Sequence, residues 1–121
     1  MHELIILTGA SRGLGAALTE QLLAQGHQVL GLSRQPSART HERLTQWSVD
    51  LVDPGPVAER LEQWLAAQTA PAWTAVSLIN NAGWIPPVRP LRDLGAGDLA
   101  RALRAGLEAP MVLSAAFLRA T

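Results

Sequence analysis

Three features of the 121 residues point to a parallel β-sheet clad by helices on its faces. Glu3–Thr8 (ELIILT) is a continuous apolar run that stops at a glycine-rich turn, the pattern of a strand buried on both faces. Segments of strand character then alternate along the chain with segments of helical period. The 121 residues are 48% hydrophobic with a formal net charge of zero, which suits one domain with a real core.

After the glycine-rich turn, Leu14, Leu18 and Leu22 recur every four residues on one helical face, with Ala17 beside them. Gly26 is placed to end that helix as its C′ residue. Gln28–Ser33 (QVLGLS) reads as the second strand. RQPSARTHERL is polar and carries Pro36, so it reads as a loop with room for a short helix. TQWSVDL reads as a third strand ending near Asp50. Asp53 suits an N-cap and Pro54 the first position of a helix striped with Val57, Leu61, Trp64 and Leu65. Ala75–Gly83 (AVSLINNAG) reads as a fourth strand running into a turn, followed by a proline-rich loop. The last segment, from about Ala96 to Arg119, reads as a helix with Leu99, Leu103, Leu107, Met111 and Phe117 on its apolar side. No internal repeat, low-complexity segment or domain boundary interrupts this order.

Composition narrows the function. Ten basic and ten acidic residues leave none of the basic surplus of a nucleic-acid binder. No apolar run reaches membrane-spanning length, and the N-terminus lacks the signal-peptide pattern. With no cysteine, disulfides, thiol catalysis and Cys-type zinc sites are excluded, and a cytoplasmic location is the expectation. His2, His27 and His41 fall at a terminus, a turn and a loop and make no metal constellation. There is no tyrosine. All ten basic residues are arginine, so there is no lysine.

The turn TGASRGLG (Thr8–Gly15) carries the first chemical signal. It comes after a buried strand and opens a helix. Gly9 permits a tight turn, and Gly13 and Gly15 permit close approach of backbone to a ligand and to the neighbouring strand. Free N–H groups at a helix start, with the helix dipole, suit a phosphate or pyrophosphate. The G-x-x-x-G-x-G spacing is not a Walker A loop, which needs Gly-Lys-Ser/Thr. Taken alone, the same residues also fit a tight turn without a ligand.

Three motifs in register make the signal specific. TGASRGLG at 8–15, Asp50–Leu51 after the third strand and NNAG at 80–83 after the fourth closely resemble the short-chain dehydrogenase/reductase family, over the whole chain. The resemblance implies a Rossmann-type doubly wound α/β sheet in three α/β/α layers. Residues 1–121 would be the N-terminal part of a single such domain, with about four strands in the order 3-2-1-4. It implies a nicotinamide dinucleotide cofactor. The pyrophosphate would lie on Gly9, Ala10, Ser11, Arg12, Gly13, Leu14 and Gly15. Asp50 would hydrogen-bond the adenine amino group, and Leu51 would sit beside the ring. Asn81, Ala82 and Gly83 would line the ribose on the nicotinamide side. Asn80 would tie neighbouring strands together.

The second strand ends GLSRQ, without the acid that an NAD-preferring site usually offers to the ribose 2′-OH. Arg34 can pair instead with a 2′-phosphate, and Arg12 can approach the same phosphate from the turn. NADP(H) is therefore expected over NAD(H). The competing reading is two solvated surface arginines.

The family's proton transfer uses a Tyr-x-x-x-Lys pair, with a Ser and an Asn. The first two residue types are missing here, so no catalytic side chain is assigned to this chain. Gly106 stands at the family's Asn position. Pro110 lacks an N–H and clashes with the carbonyl four residues back, that of Gly106, which predicts a kink. Gly106 then fits either a carbonyl-only role or a packing role. Trp84, directly after NNAG, fits either a wall of the substrate pocket or an anchor for the proline-rich loop.

Two functions are open. One is the cofactor-binding half of an NADP(H)-dependent reductase acting on a small carbonyl or alcohol substrate, with the catalytic Ser, Tyr and Lys lying beyond these residues. The other is a non-catalytic NADP(H)-binding or sensor module that self-associates. A flavodoxin-like phosphate-binding domain would explain the turn but neither Asp50–Leu51 nor NNAG. The last helix is apolar nearly all round, as suits a homo-oligomer contact, and strand four would be an open edge. No nucleic-acid or membrane partner is expected.

Overall fold

The computed structural model describes residues 2–68 and 73–121. In chain order the elements are β1 (Leu4–Thr8), α1 (Gly13–Ala24), β2 (Gln28–Ser33), β3 (Leu44–Ser48), α2 (Pro54–Ala66), β4 (Val76–Ile79), a 3-10 turn (Leu91–Asp93), α3 (Ala96–Leu103), a π turn (Arg104–Glu108) and α4 (Ala109–Ala120). The four strands form one parallel sheet in the order β3-β2-β1-β4. Helices cover both faces, which is the expected three-layer architecture.

The apolar run of β1 is buried on both faces because helices stand on both sides of it. Leu4 and Ile6 enter the larger core, with Leu30 and Leu32 of β2, Leu61 and Leu65 of α2, and Leu113 of α4. Ile5 and Leu7 enter the smaller core, against Leu18 and Leu22 of α1. The alternation is the two-residue period of a strand. On the larger side Arg119 of α4 also grips the Glu62 carboxylate of α2 at 3.0–3.3 Å, and this hydrogen bond raises the guanidinium pKa.

α1 ends as expected. Gly26 adopts φ +88°, its N–H meets the Leu23 carbonyl, and the His27 N–H meets that of Leu22, a complete Schellman closure. The buried face of α1 differs from the expected one. Gly15, Thr19 and Leu23 are buried, Leu18 and Leu22 flank them, and Leu14 is 67% exposed. Close approach to the glycine turn rotates the small residues inward and leaves Leu14 outside. β3 stops at Ser48, two residues before Asp50, and the β2–β3 connection contains no helix. Asp53 occupies the N-cap of α2, but its side chain makes no capping hydrogen bond.

The last segment is two helices joined by a π turn. Pro110 removes an N–H from the ladder, and the chain widens just before it, with the Ala109 N–H on the Arg104 carbonyl. Part of the expected apolar face is turned outward: Leu103, Leu107 and Met111 are exposed, whereas Phe117 packs on the larger core as expected, and Ala105, Ala109, Leu113 and Ala116 are buried. The small residues allow close packing on α2 and the sheet. β4 pairs with β1 alone among the described residues, so it is a sheet edge. Among the described residues no helix is long and apolar enough to cross a membrane.

Candidate functional site

Thr8 closes β1, and its hydroxyl joins two loops. It accepts the backbone N–H groups of Asn81 and Ala82, both at 2.9 Å. The Asn81 side chain donates to the Gly9 carbonyl at 3.2 Å. The loop after β4 is thereby locked to the turn after β1. The sequence expectation gave the tying role to Asn80. Its side chain instead donates to Ser114 of α4 at 3.3 Å, and Asn81 joins the strand ends.

The turn itself needs glycine for two different reasons. Gly9 and Gly13 have φ of +68° and +56°, a region that L side chains resist. Gly15 is helical, but any Cβ there would run into the Gly9 carbonyl. That contact seats α1 directly on the turn. Arg12 is the N-cap of α1, with no side chain capping the helix and no acid in its first turn. The first N–H groups of α1 have no intrahelical acceptor.

These elements enclose a cleft of about 570 Å³ at the carboxyl ends of the strands, reaching the β1–β4 junction where the strand order reverses. Ten of the expected residues line it: Gly9, Ser11, Arg12, Gly13, Arg34, Asp50, Leu51, Asn81, Ala82 and Gly83. Asp50 is held there by its own turn, Oδ1 accepting the Val52 N–H at 3.0 Å. Ala10, Leu14 and Gly15 do not line the cleft. Ala10 is buried, its methyl filling the space over Gly31. Gly15 is buried beneath the turn, and Leu14 faces outward.

Gly106 is exposed and also lies off the lining, while its neighbour Ala105 is on it. Trp84 lines the cleft, with the Arg101 guanidinium 5.4 Å from its ring centre. Leu32, Ser33, Gln35, Val49 and Val52 complete the wall and were not picked out from the sequence. Position alone identifies them, since they stand at or just past the ends of β2 and β3.

The chemistry of this cleft is that of an anion and ring binder. Unclaimed helix N–H groups and two arginines suit phosphates, and Leu51, Val49 and Val52 offer an apolar wall. No Tyr, Lys or His is among the lining residues. No group of three His, Cys, Asp or Glu that could hold a metal ion occurs among the described residues.

Comparison with known proteins agrees with this geometry. The family model described as short chain dehydrogenase matches residues 3–121. The chain is 36% identical over 117 residues to a benzil reductase ((S)-benzoin forming) of Bacillus subtilis, covering 97% of this chain and 48% of that protein. A short-chain dehydrogenase/reductase structure from Burkholderia vietnamiensis is 38% identical, with a TM-score of 0.83, covering 98% of this chain and 59% of that one. A metagenomic short-chain oxidoreductase solved in complex with NADP is 25% identical, with a TM-score of 0.80, covering 98% of this chain and 56% of that one. The chain thus spans about half the length of the curated relatives it matches.

Proposed function

The chain belongs to the short-chain dehydrogenase family of oxidoreductases, and on that premise we propose that residues 1–121 are the N-terminal, cofactor-binding part of a single Rossmann domain. The whole protein would use NADP(H) to reduce a small carbonyl compound or oxidise an alcohol. One observation carries the cofactor reading: Arg12 and Arg34 line the same cleft as the uncapped start of α1, and no acid stands directly after β2.

Each residue then has a task. The backbone of the 9–15 turn holds the pyrophosphate, with the dipole of α1 behind it. Arg34 pairs with the 2′-phosphate from the end of β2, and Arg12 faces it from the turn. Asp50 and Leu51 hold the adenine, and Asn81, Ala82 and Gly83 the ribose on the nicotinamide side. The bound cofactor supplies the hydride. Trp84 walls the cleft beside Gly83, where the substrate would enter. Proton transfer has no Tyr or Lys to run on in this chain, so it depends on residues outside it. A cytoplasmic location and a homo-oligomer through the last helix complete the reading.

The absence of Tyr and Lys favours one alternative, a non-catalytic NADP(H)-binding module that self-associates. Intact mass of the purified protein, or the DNA beyond codon 121, separates the two: a continuation carrying Ser and Tyr-x-x-x-Lys supports the reductase, and a stop there in a protein that binds NADPH supports the module. The cofactor assignment is tested by measuring NADPH and NADH affinity for the wild type and for Arg34→Asp. Wild-type preference for NADPH, lost in the variant, is the expected result. A wild type without that preference refutes the NADP(H) assignment.

A further inference from the structure

The connection between β2 and β3 runs without a helix, yet it carries Arg34 and Gln35 into the cleft wall. Such a loop keeps its freedom unless something holds its backbone. Here one side chain of the next strand does most of the holding. The Gln46 amide spends its whole hydrogen-bonding capacity on this loop. Its Oε1 accepts the Ser37 N–H at 3.2 Å and the Ser37 hydroxyl at 3.4 Å. Its Nε2 donates to the Ser37 carbonyl at 3.1 Å and the Arg39 carbonyl at 3.0 Å.

Two further ties act with it. Ser48, on the same face of β3 as Gln46, donates its hydroxyl to the Arg34 carbonyl at 2.9 Å. Arg39 reaches the Glu20 carboxylate of α1 at 2.8 Å. The loop is thus stapled between the edge strand and α1. Gln46 itself does not line the cleft.

We propose that Gln46 is a positioning residue for dinucleotide recognition: it holds the Ser37–Arg39 segment, and through it the Arg34–Gln35 corner, at the cleft. Discrimination between a ribose 2′-phosphate and a 2′-hydroxyl then depends on a side chain that touches neither. The inference rests on the NADP(H) reading. Capturing a phosphate with a long, exposed arginine costs the freedom of both side chain and loop, and a held loop has less to lose. A cofactor without the 2′-phosphate makes no demand on Arg34, so its affinity is indifferent to the staple.

The experiment is equilibrium binding of NADPH and of NADH to the intact protein, for the wild type and two variants, with thermal melts alongside. Gln46→Met keeps the length and removes all four hydrogen bonds. It is expected to weaken NADPH binding about three- to tenfold, the cost of ordering one flexible side chain, while NADH binding stays within about twofold. Gln46→Glu keeps the acceptor for Ser37 and turns an oxygen on two carbonyls, so its loss of NADPH affinity should equal or exceed that of Gln46→Met. Equal weakening of both cofactors assigns Gln46 a general folding role and overturns the proposal. An unchanged NADPH preference in both variants overturns it too. A wild type without NADPH preference fails the cofactor assignment itself; a preference that survives in both variants fails the staple alone.

Discussion

The Thr8 hydroxyl, at the end of β1, accepts the Asn81 backbone N–H across the β1–β4 junction at 2.9 Å. The same oxygen accepts the Ala82 N–H at 2.9 Å, and Thr8 is buried, so both acceptor positions are used where no water competes. Thr8→Val keeps the shape and removes the acceptor. It leaves two backbone N–H groups without a partner and should destabilise the protein by about 2–4 kcal/mol. Thr8→Ser keeps the oxygen and should cost under about 1 kcal/mol, the loss of one methyl group. Urea denaturation midpoints check the pair. Equal losses in Val and Ser would assign Thr8 to packing alone.

Gly13 and Gly15 should fail in different ways. A Cβ at Gly15 meets the Gly9 carbonyl, which is backbone and has nowhere to go. Gly15→Ala should therefore cost more than about 3 kcal/mol or abolish folding, as overpacking against rigid structure does. A Cβ at Gly13 meets nothing within 4 Å, and its cost is conformational, from φ +56°. Gly13→Ala should lose about 1–2 kcal/mol. On the proposed cofactor reading, the folded Gly13→Ala protein should bind NADPH weakly, because relaxation of the strained turn moves backbone that lines the cleft. Thermal melts and NADPH titration of the two variants read this split.

The outward face of the last helices gives a test of assembly. Leu103, Leu107 and Met111 are 63%, 57% and 64% exposed and lie along one stripe, an apolar surface of the kind that marks an interface. If it is a contact between copies, Leu107→Glu and Met111→Glu should shift the protein to monomer and remove the concentration dependence of its unfolding midpoint. Sedimentation velocity over a range of concentrations measures the shift. Wild-type protein that is already monomeric would remove the homo-oligomer reading.

The strand cores and the turn chemistry are legible in the sequence because they are local. ELIILT announces a doubly buried strand by its unbroken apolar run, and Gly26 announces a helix end by its position after the last periodic residue. The order β3-β2-β1-β4 comes through family resemblance, since strand pairing is a long-range choice that period alone does not encode. The orientation of α1 and of the last helices is not legible in this way. Leucine spacing points to Leu14, Leu103, Leu107 and Met111 as inward residues, yet small residues pack inside and these stand outside. Close packing selects Gly15, Ala105, Ala109 and Ala116 because helices approach nearer over small side chains, an advantage invisible to a hydrophobicity count.

The parallel α/β class, the glycine turn and the lack of any Tyr or Lys for proton transfer can be read from the unfolded chain. Those come from residue types and short-range spacing. Which turn residues face the cleft is set by packing across the fold, because Gly15 must yield its side-chain space to the Gly9 carbonyl and Ala10 must fill the gap over Gly31. The fold alone also gave Thr8, Asn81 and Gln46 their tasks. Each is a polar side chain whose partners lie on another segment, 73 residues away for Thr8 with Asn81 and 9 for Gln46 with Ser37. A hydrogen bond of that kind exists only once folding has brought the two segments together.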